Sequence, residues 1–373
     1  MPHHRIQKII ASVAAVLVLL PASNTFACSM IFLNENNQAK VVVRTMDLPL
    51  LFPEAPRLVV FPRGMERDSA RALMPGENAR ILGIGSDHVK WKSKLGSVVV
   101  TGADVCATDG LNEKGLAAHF LEMSETVYEP VDSRPEMGQC HLISYVLDNF
   151  ETVDQVVRFF ESGQAFRLVP VIVPEKKIPL SIPGHLAVQD PSGDSAIIEW
   201  VHGKVVIHHG HQYRVMTNEP EYDVMLERMS KYAAFGGKLP LPGDIDGEHW
   251  FAWLAAFYDL LPKPNDYREA IAMSFSLMRV AQIPFRDPVK ALASNPSPTD
   301  IDRLWSGIQT NWVSGMDLTS KTIYMNSAYS PSLFWLELSQ LDFTQGAPIE
   351  YLNPHDIGLS GNARSDLQPW PPR

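Results

Sequence analysis

The sequence lacks the marks of several common protein classes. It has 3 cysteines in 373 residues, too few for the disulfide framework of a small secreted domain. Its formal net charge of −10 argues against nucleic-acid binding, which requires a basic face. It contains no Gly-x-Ser-x-Gly elbow, no phosphate-binding loop and no His-Glu-x-x-His pair, so the corresponding serine hydrolases, nucleotide enzymes and zinc proteases are disfavoured.

One long apolar run is present, and it lies at the start of the chain. A basic segment is followed by the apolar run Ile9–Leu20 and by a polar stretch that ends in Ala27. This order is typical of a cleaved secretory signal and is too short and wrongly flanked for a membrane span. We therefore expect residues 1–27 to be removed and residues 28–373 to form a single domain in the periplasm or outside the cell.

Cys28 follows Ala27 directly, so that cleavage makes it the first residue of the mature chain. An N-terminal cysteine carries a thiol and an α-amine, whose ordinary pKa of about 7.7–8.0 lets it accept the thiol proton. Two other interpretations compete. Cys28 is then either a buried cysteine that merely begins a strand, or the lipid-modified cysteine of a bacterial lipoprotein. Thr25 and Phe26 fit poorly with the small residues that usually precede such an anchor.

A β-hairpin is predicted directly after Cys28. The apolar run Met30–Leu33 and the β-branched run Lys40–Thr45 predict two strands, because turn-forming residues separate them. This hairpin brings Arg44 and Asp47 back beside the start of the first strand. A guanidinium there favours the thiolate, and a carboxylate can hold the α-amine. The competing interpretation of Arg44 and Asp47 is an ordinary solvated ion pair.

Further blocks of sequence keep their order through most of the chain. They are Cys28-Ser29, Arg44-Thr45-Met46-Asp47, Phe61-Pro62-Arg63-Gly64-Met65, Trp91 to Val98, Asp109 to Leu116, Val215 to Pro220, Phe275 to Arg279 and Ser330 to Leu336. Together they resemble the choloylglycine hydrolase family in its Gram-negative branch. That family contains bile salt hydrolases, penicillin V acylases and related hydrolases of linear amides within the N-terminal nucleophile superfamily.

The resemblance implies an α+β fold, a four-layer αββα sandwich of two antiparallel sheets. It also implies that Cys28 is the nucleophile and its α-amine the base, with Arg44 and Asp47 as polar partners of the cysteine. Asn218 is then a donor to the oxyanion, although the residues alone favour an ordinary turn asparagine. Family members are homo-oligomers, so a tetramer is expected.

The sequence departs from the family pattern at three places. Leu48 and an apolar insert, Pro49 to Pro56, follow Asp47 where relatives have tryptophan, and His249 and Trp250 fall where an arginine is common. Glu122 stands where some members have Asn or Tyr. We therefore expect an altered acyl pocket. Its candidate substrate-binding residues are Leu48, Phe52, Glu122, Met123 and Trp250. The competing interpretation is that the apolar residues among them only pack in the core.

These observations predict an amidohydrolase that cleaves a linear, non-peptide amide through a Cys28 thioester. The substrate is expected to be penicillin V or an N-acyl homoserine lactone, with conjugated bile salts behind them. The alternative is a lipid-anchored, non-catalytic binding protein of the same fold. We expect no cofactor and no metal, because strand alternation sends His208 and His209 to opposite faces. The partner is a small amide, with no nucleic acid and no stable membrane insertion.

Periodicity predicts the remaining elements. Strands are expected at Leu58–Phe61, Val98–Thr101, Leu116–Met123, Leu186–Val188, Ala196–Val201, Lys204–His208, Thr322–Asn326 and Leu333–Leu338, and helices at Cys140–Phe150, Val153–Glu161, Tyr222–Ala233, Trp250–Leu261 and Tyr267–Ala281. Cys106 and Cys140 could pair, but Cys140 opens an apolar helical run and is expected to be a buried thiol. The proline-rich tail, Pro369 to Pro372, is expected to be unstructured.

Overall fold

The computed structural model describes residues 28–49, 56–77, 81–163, 165–173, 183–243, 246–285, 287, 289–290 and 307–370. The predicted signal segment, Phe52 and most of the apolar insert lie outside these residues. Strands are β1 (Ser29–Leu33), β2 (Val41–Pro49), β3 (Arg57–Phe61), β4 (Glu66–Asp68), β5 (Lys90–Lys92), β6 (Ser97–Gly102), β7 (Cys106–Asn112), β8 (Ala117–Glu122), β9 (Glu136–Gly138), β10 (Arg167–Val169), β11 (Gly184–Gln189), β12 (Ser195–Val201), β13 (Lys204–His209), β14 (Val215–Thr217), β15 (Ile308–Asp317), β16 (Thr322–Ser327), β17 (Leu333–Glu337), β18 (Glu350–Leu352), β19 (Gly361–Asn362) and β20 (Gln368–Pro369). Helices are α1 (Leu142–Asn149), α2 (Val153–Glu161), α3 (Tyr222–Met229), α4 (Gly247–Tyr258) and α5 (Tyr267–Met278).

Two large sheets make up the centre of the described chain. One has seven strands in the order β14-β1-β2-β15-β16-β17-β19, and the other has nine in the order β13-β12-β11-β8-β7-β6-β3-β18-β20. Neighbouring strands are antiparallel except for β17 and β19. Both faces of β1 and of Val41–Val43 are buried, which explains their continuous apolar sequence. One face contacts helices and the other contacts the second sheet.

Helices cover the outer face of each sheet. α4 and α5 pack on β1, β2 and β14, while α1 and α2 pack on the nine-stranded sheet. Thr152, Asp246 and Asp266 cap α2, α4 and α5 by accepting a hydrogen bond from a backbone N–H of the first turn. The layers therefore run helix, sheet, sheet, helix, and the predicted αββα sandwich is confirmed.

Most predicted elements are confirmed within a few residues at each end, but two long central strands were missed, as were several strands of two or three residues. β7 and β15 lie in the middle of their sheets and carry polar residues that hide the apolar pattern. In β7 these are Thr108, Asp109 and Asn112, and β15 contains the run Gln309–Asn311. All of them except the half-buried Thr108 are buried. Asp109 and Thr310 find their partners on β2, whereas Asn112 donates to the carbonyls of Leu147 and Phe150 at the end of α1.

The predictions for Cys140 and for the start of the tail were wrong, and Pro371 and Pro372 lie outside the described residues. Cys106 and Cys140 form a disulfide, because α1 packs on β7 and carries the turn before it to the start of that strand. The tail is ordered through Trp370, whose indole N–H donates a hydrogen bond to the Pro75 carbonyl at 3.0 Å and whose ring contacts Tyr351. Among the described residues, no helix is long and apolar enough to cross a membrane.

Candidate active site

Cys28 lies immediately before β1 and is a free, buried cysteine with 6% of its surface exposed. Met30 pairs with Arg44 in the β1–β2 hairpin, so the guanidinium returns to the start of β1 as the sequence predicted. Burial raises the pKa of the Cys28 thiol to about 12, although the charge of Arg44 and the Asp47 backbone N–H lower it. Burial therefore favours the un-ionised thiol. In the chain with residues 1–27, the Cys28 nitrogen belongs to a peptide bond and cannot accept the thiol proton.

Arg44 crosses the space between the two sheets instead of pairing with Asp47. Its Nη1 donates to Asp109 Oδ2 at 2.8 Å, and its Nη2 donates to the Phe120 carbonyl at 3.2 Å. His119 Nδ1 lies 3.0 Å from the other Asp109 oxygen. Burial raises the pKa of Asp109, but Arg44 and His119 outweigh it and hold that pKa below its ordinary value. The interpretation of Arg44 and Asp47 as an ordinary solvated ion pair is therefore wrong.

Asp47 is buried and held by two threonine hydroxyls. Thr45 donates to its Oδ2 at 2.8 Å and Thr310 donates to its Oδ1 at 2.5 Å. Thr45 also accepts the Ser29 N–H at 3.0 Å, which connects the carboxyl group to the backbone next to Cys28. Burial raises the pKa of Asp47 to about 7, against the lowering effect of both hydroxyls and of Arg44. A positive charge at the Cys28 nitrogen would favour the carboxylate form.

Asn218 lies at the end of β14, beside the start of β1. Ser29 pairs with Thr217 across these antiparallel strands, so one further residue in each direction sets Asn218 opposite Cys28. Its side chain is 1% exposed. The Thr217 hydroxyl donates to the Gly247 carbonyl at the start of α4 at 2.9 Å, which fixes the strand end against the helix layer. An amide at this position can donate to an oxygen that develops on a carbonyl attacked by Cys28.

The predicted substrate-binding residues occupy different surroundings. Glu122 ends β8, and its charge acts on the Cys28 thiol. Met123 follows it and is fully buried, Leu48 on β2 is partly buried against the core, and Trp250 is a core residue of α4. Phe52 lies outside the described residues. Contact of these side chains with substrate stays a prediction.

A second buried charged group supports the segment after Asn218. Glu199 Oε1 lies 2.9 Å from His185 Nδ1, and Glu199 Oε2 accepts the Tyr222 N–H at 3.0 Å and lies 3.7 Å from His208 Nε2. Burial raises the pKa of Glu199, but the hydrogen bonds with His185 and Tyr222, together with the nearby His208, bring it down to about 2. His209 points the other way and lies 2.8 Å from Asp194. Among the described residues, no group of His, Cys, Asp and Glu could hold a metal ion.

The αββα sandwich, with its cysteine at the start of a central strand, is the fold of N-terminal nucleophile hydrolases. Residues 28–351 match the model of the linear amide C–N hydrolases, choloylglycine hydrolase family. Because this match covers most of the sequence, the chain belongs to that family and is a hydrolase of linear amides.

Similar proteins within the family include both penicillin and bile-salt enzymes. The chain is 29% identical over 396 residues to a penicillin V acylase of Pectobacterium atrosepticum, covering 99% of this chain and 97% of that protein. It is 23% identical over 314 residues to a bile salt hydrolase/transferase of Bifidobacterium longum, covering 78% and 88%.

Solved structures show the same likeness. The penicillin V acylase from Agrobacterium tumefaciens has a TM-score of 0.73 and 33% identity over 92% of this chain and 98% of that chain. A conjugated bile acid hydrolase from Clostridium perfringens has a TM-score of 0.67 and 17% identity over 87% and 96%, which supports the fold alone.

The buried ion pair between the sheets gives a stability prediction. Asp109→Ala should lower the free energy of unfolding by about 3–5 kcal/mol, because it leaves Arg44 buried without its carboxylate. Urea unfolding of the variant measures this effect. Asp154→Ala is the control, since it breaks a solvent-exposed pair with Arg158 on α2 and should cost about 0–1 kcal/mol. Equal losses in the two variants would contradict a structural role for the buried pair.

Proposed function

We propose that the chain is an N-terminal cysteine amidohydrolase that cleaves a linear, non-peptide amide through a thioester on Cys28. The observation that carries this proposal is the convergence on one buried thiol of three groups from two strands. Arg44 and Asp47 come from β2, and Asn218 comes from the end of β14. The family match supports the reaction class.

In the proposed mechanism, removal of residues 1–27 converts the Cys28 nitrogen into an α-amine that accepts the thiol proton. The thiolate sulfur attacks the amide carbon, and the Asn218 side chain with backbone N–H groups holds the resulting oxyanion. The C–N bond then breaks, and the leaving amine takes the proton from the α-ammonium. The same α-amine next activates a water that hydrolyses the thioester and regenerates the thiol. Asp47 holds the ammonium, and Arg44 favours the thiolate.

Processing of the N-terminus is part of the proposal. The composition of residues 1–27 supports cleavage after Ala27 and an exported enzyme, and membership of the family supports a homotetramer. The alternative is a lipid-anchored, non-catalytic protein whose α-amine is blocked. The position of Cys28 at a cleavage point supports it as well. The intact mass of the exported protein decides between them. Loss of residues 1–27 without added mass agrees with the enzyme, whereas a diacylglyceryl adduct contradicts it.

Within the reaction class, we propose acylase activity on penicillin V or on N-acyl homoserine lactones. Likeness to two penicillin V acylases supports the first substrate, and the apolar residues after Asp47 suit an aryl or fatty acyl group in either. Bile salt hydrolysis ranks third, supported by lower identity. Rates of hydrolysis across penicillin V, acyl homoserine lactones and glycine-conjugated bile salts test this order.

Asp47 gives a pH-dependent prediction that also tests the α-amine. In a chain that keeps residues 1–27, the pKa of Asp47 in the folded protein is raised from 3.8 to about 7. The native state then binds more protons than the unfolded state between about pH 4 and 7, so the free energy of unfolding falls as pH rises through this range. Asp47→Asn should remove a decrease in the free energy of unfolding that amounts to about 4 kcal/mol between pH 4 and 7.

Comparison with a chain that starts at Cys28 completes this experiment. There the α-ammonium lies beside Asp47 and lowers its pKa, so the pH dependence attributable to Asp47 should be smaller. Urea unfolding between pH 4.5 and 8, with and without Asp47→Asn, gives both values. The same pH dependence in the two chains would show that the α-amine does not contact Asp47.

A further inference from the structure

Two acidic segments of the chain meet beside Cys28. The Ser124 N–H donates to Glu219 Oε1 at 3.0 Å, and the Glu221 N–H donates to Glu125 Oε2 at 3.2 Å. These two hydrogen bonds join the chain after β8 to the chain after β14. The first segment begins at Glu122, and the second follows Asn218 directly. We call residues 122–125 and 219–223 the acidic loops.

Lysine and arginine are scarce in the chain segments that carry these loops, although His208 Nδ1 lies 3.9 Å from Asp223. Lysine and arginine are absent from residues 115–133 and 215–227, which contain both loops. The nearby guanidinium of Arg44 is already paired with Asp109 at 2.8 Å. Carboxyl groups of the loops are those of Glu122, Glu125, Glu219, Glu221 and Asp223. The charge next to the thiol is therefore negative on the side of the loops.

Glu122 and Glu219 act on each other and on the nucleophile. Burial and the charge of Glu219 raise the pKa of Glu122 to about 7. The charge of Glu122 in turn raises the pKa of the Cys28 thiol. Of the other charged groups that face this thiol, Asp47 also raises its pKa, whereas Arg44 lowers it and has the larger effect. A negatively charged group that approaches from the side of the loops would meet the repulsion of Glu122, and the opposing charge of Arg44 is paired with Asp109.

We propose that the acidic loops select against substrates that carry a negative charge close to the scissile amide, so that amides with an uncharged leaving amine are preferred. This inference rests on the proposed function, because it assumes that Cys28 is the attacking group. Glycine conjugates and penicillin V carry a carboxylate on the amine side, whereas a homoserine lactone does not. The inference therefore places lactone-type amides ahead of both.

Alkylation of Cys28 tests the charge effect without requiring hydrolysis. Iodoacetamide carries a neutral amide where iodoacetate carries an anionic carboxylate, and both alkylate the same sulfur. The corrected ratio is the rate with iodoacetamide over the rate with iodoacetate, divided by the same quotient for free cysteine. At pH 8.5 it should be at least about 10. At that pH Glu122 is ionised. Glu122→Gln together with Glu219→Gln should bring the corrected ratio close to one. Glutamine keeps an acceptor for the Ser124 N–H.

A matched control and a pair of substrates complete the experiment. Glu161→Gln removes the same charge at the exposed end of α2, on the far helix layer, and should leave the corrected ratio unchanged. Phenoxyacetyl-glycinamide and phenoxyacetyl-glycine repeat the comparison as substrates through kcat/KM. Thermal unfolding shows that each variant is folded.

The outcomes separate the two proposals. A corrected alkylation ratio that is near one in the parent, or unchanged by the double substitution, would overturn the selection by charge even if both amides are hydrolysed. A large, Glu-dependent ratio without hydrolysis of any amide would support the charge effect and count against the proposed function. Hydrolysis with a preference that disappears in the double variant agrees with both.

Discussion

A chain that starts at residue 28 and carries Cys28→Ala should lose at least about 10⁴-fold in kcat/KM on any amide that the parent hydrolyses. The substitution removes the only group in the proposed mechanism that forms a bond to the substrate, so no other residue can carry the thioester. Binding should survive, because the oxyanion donor and the acyl pocket are unchanged. Hydrolysis rates together with substrate affinity for the inactive variant measure both parts.

Cys28→Ser is the matched control for this result. It keeps a hydroxyl in the same place, but a hydroxyl ionises far less readily than a thiol with the same base, so most activity should also be lost. Both variants should unfold within about 1–2 kcal/mol of the parent, because one buried sulfur contributes little packing. Turnover by the alanine variant within tenfold of the parent would exclude Cys28 as the nucleophile.

The hairpin that begins the site could be predicted from sequence because its determinants are local. The apolar run of β1, the turn after it and the β-branched run of β2 are contiguous, and pairing Met30 with Arg44 follows from the turn length. Resemblance to a family then added the role of Asn218. The residues alone favoured a turn asparagine, since nothing local shows that β14 pairs with β1.

The partners of the charged residues could not be predicted in this way. Asp109 pairs with Arg44 across the gap between the sheets, 65 residues apart in sequence. Thr310 bonds Asp47 from β15, a strand whose polar run gave no strand pattern. A buried carboxylate is recognisable only when its partner is known, and sheet stacking decides the partner. The disulfide of Cys106 with Cys140 was missed because it, too, depends on how distant elements pack, here α1 on β7.

Asn218→Ala should lower kcat by about 10²–10³ with a smaller change in KM, because one preorganised donor to the oxyanion is lost. The effect belongs to the transition state, where the carbonyl oxygen becomes charged, and the ground-state carbonyl needs the donor less. Iodoacetamide alkylation forms no tetrahedral oxyanion at Cys28. Its rate should therefore stay within about twofold of the parent, which separates stabilisation of the oxyanion from positioning of the thiol.

Asn34→Ala supplies the control for a buried asparagine that holds structure only. Asn34 follows the far end of β1, where its side-chain N–H groups donate to the carbonyls of Gly193 and His211 at 2.8 Å and 2.9 Å. Its loss should cost stability, by about 1–3 kcal/mol, while kcat at a temperature where the variant is folded stays near the parent value. If Asn218→Ala behaved like Asn34→Ala, or slowed alkylation as much as hydrolysis, Asn218 would be a structural residue and the oxyanion would need another donor.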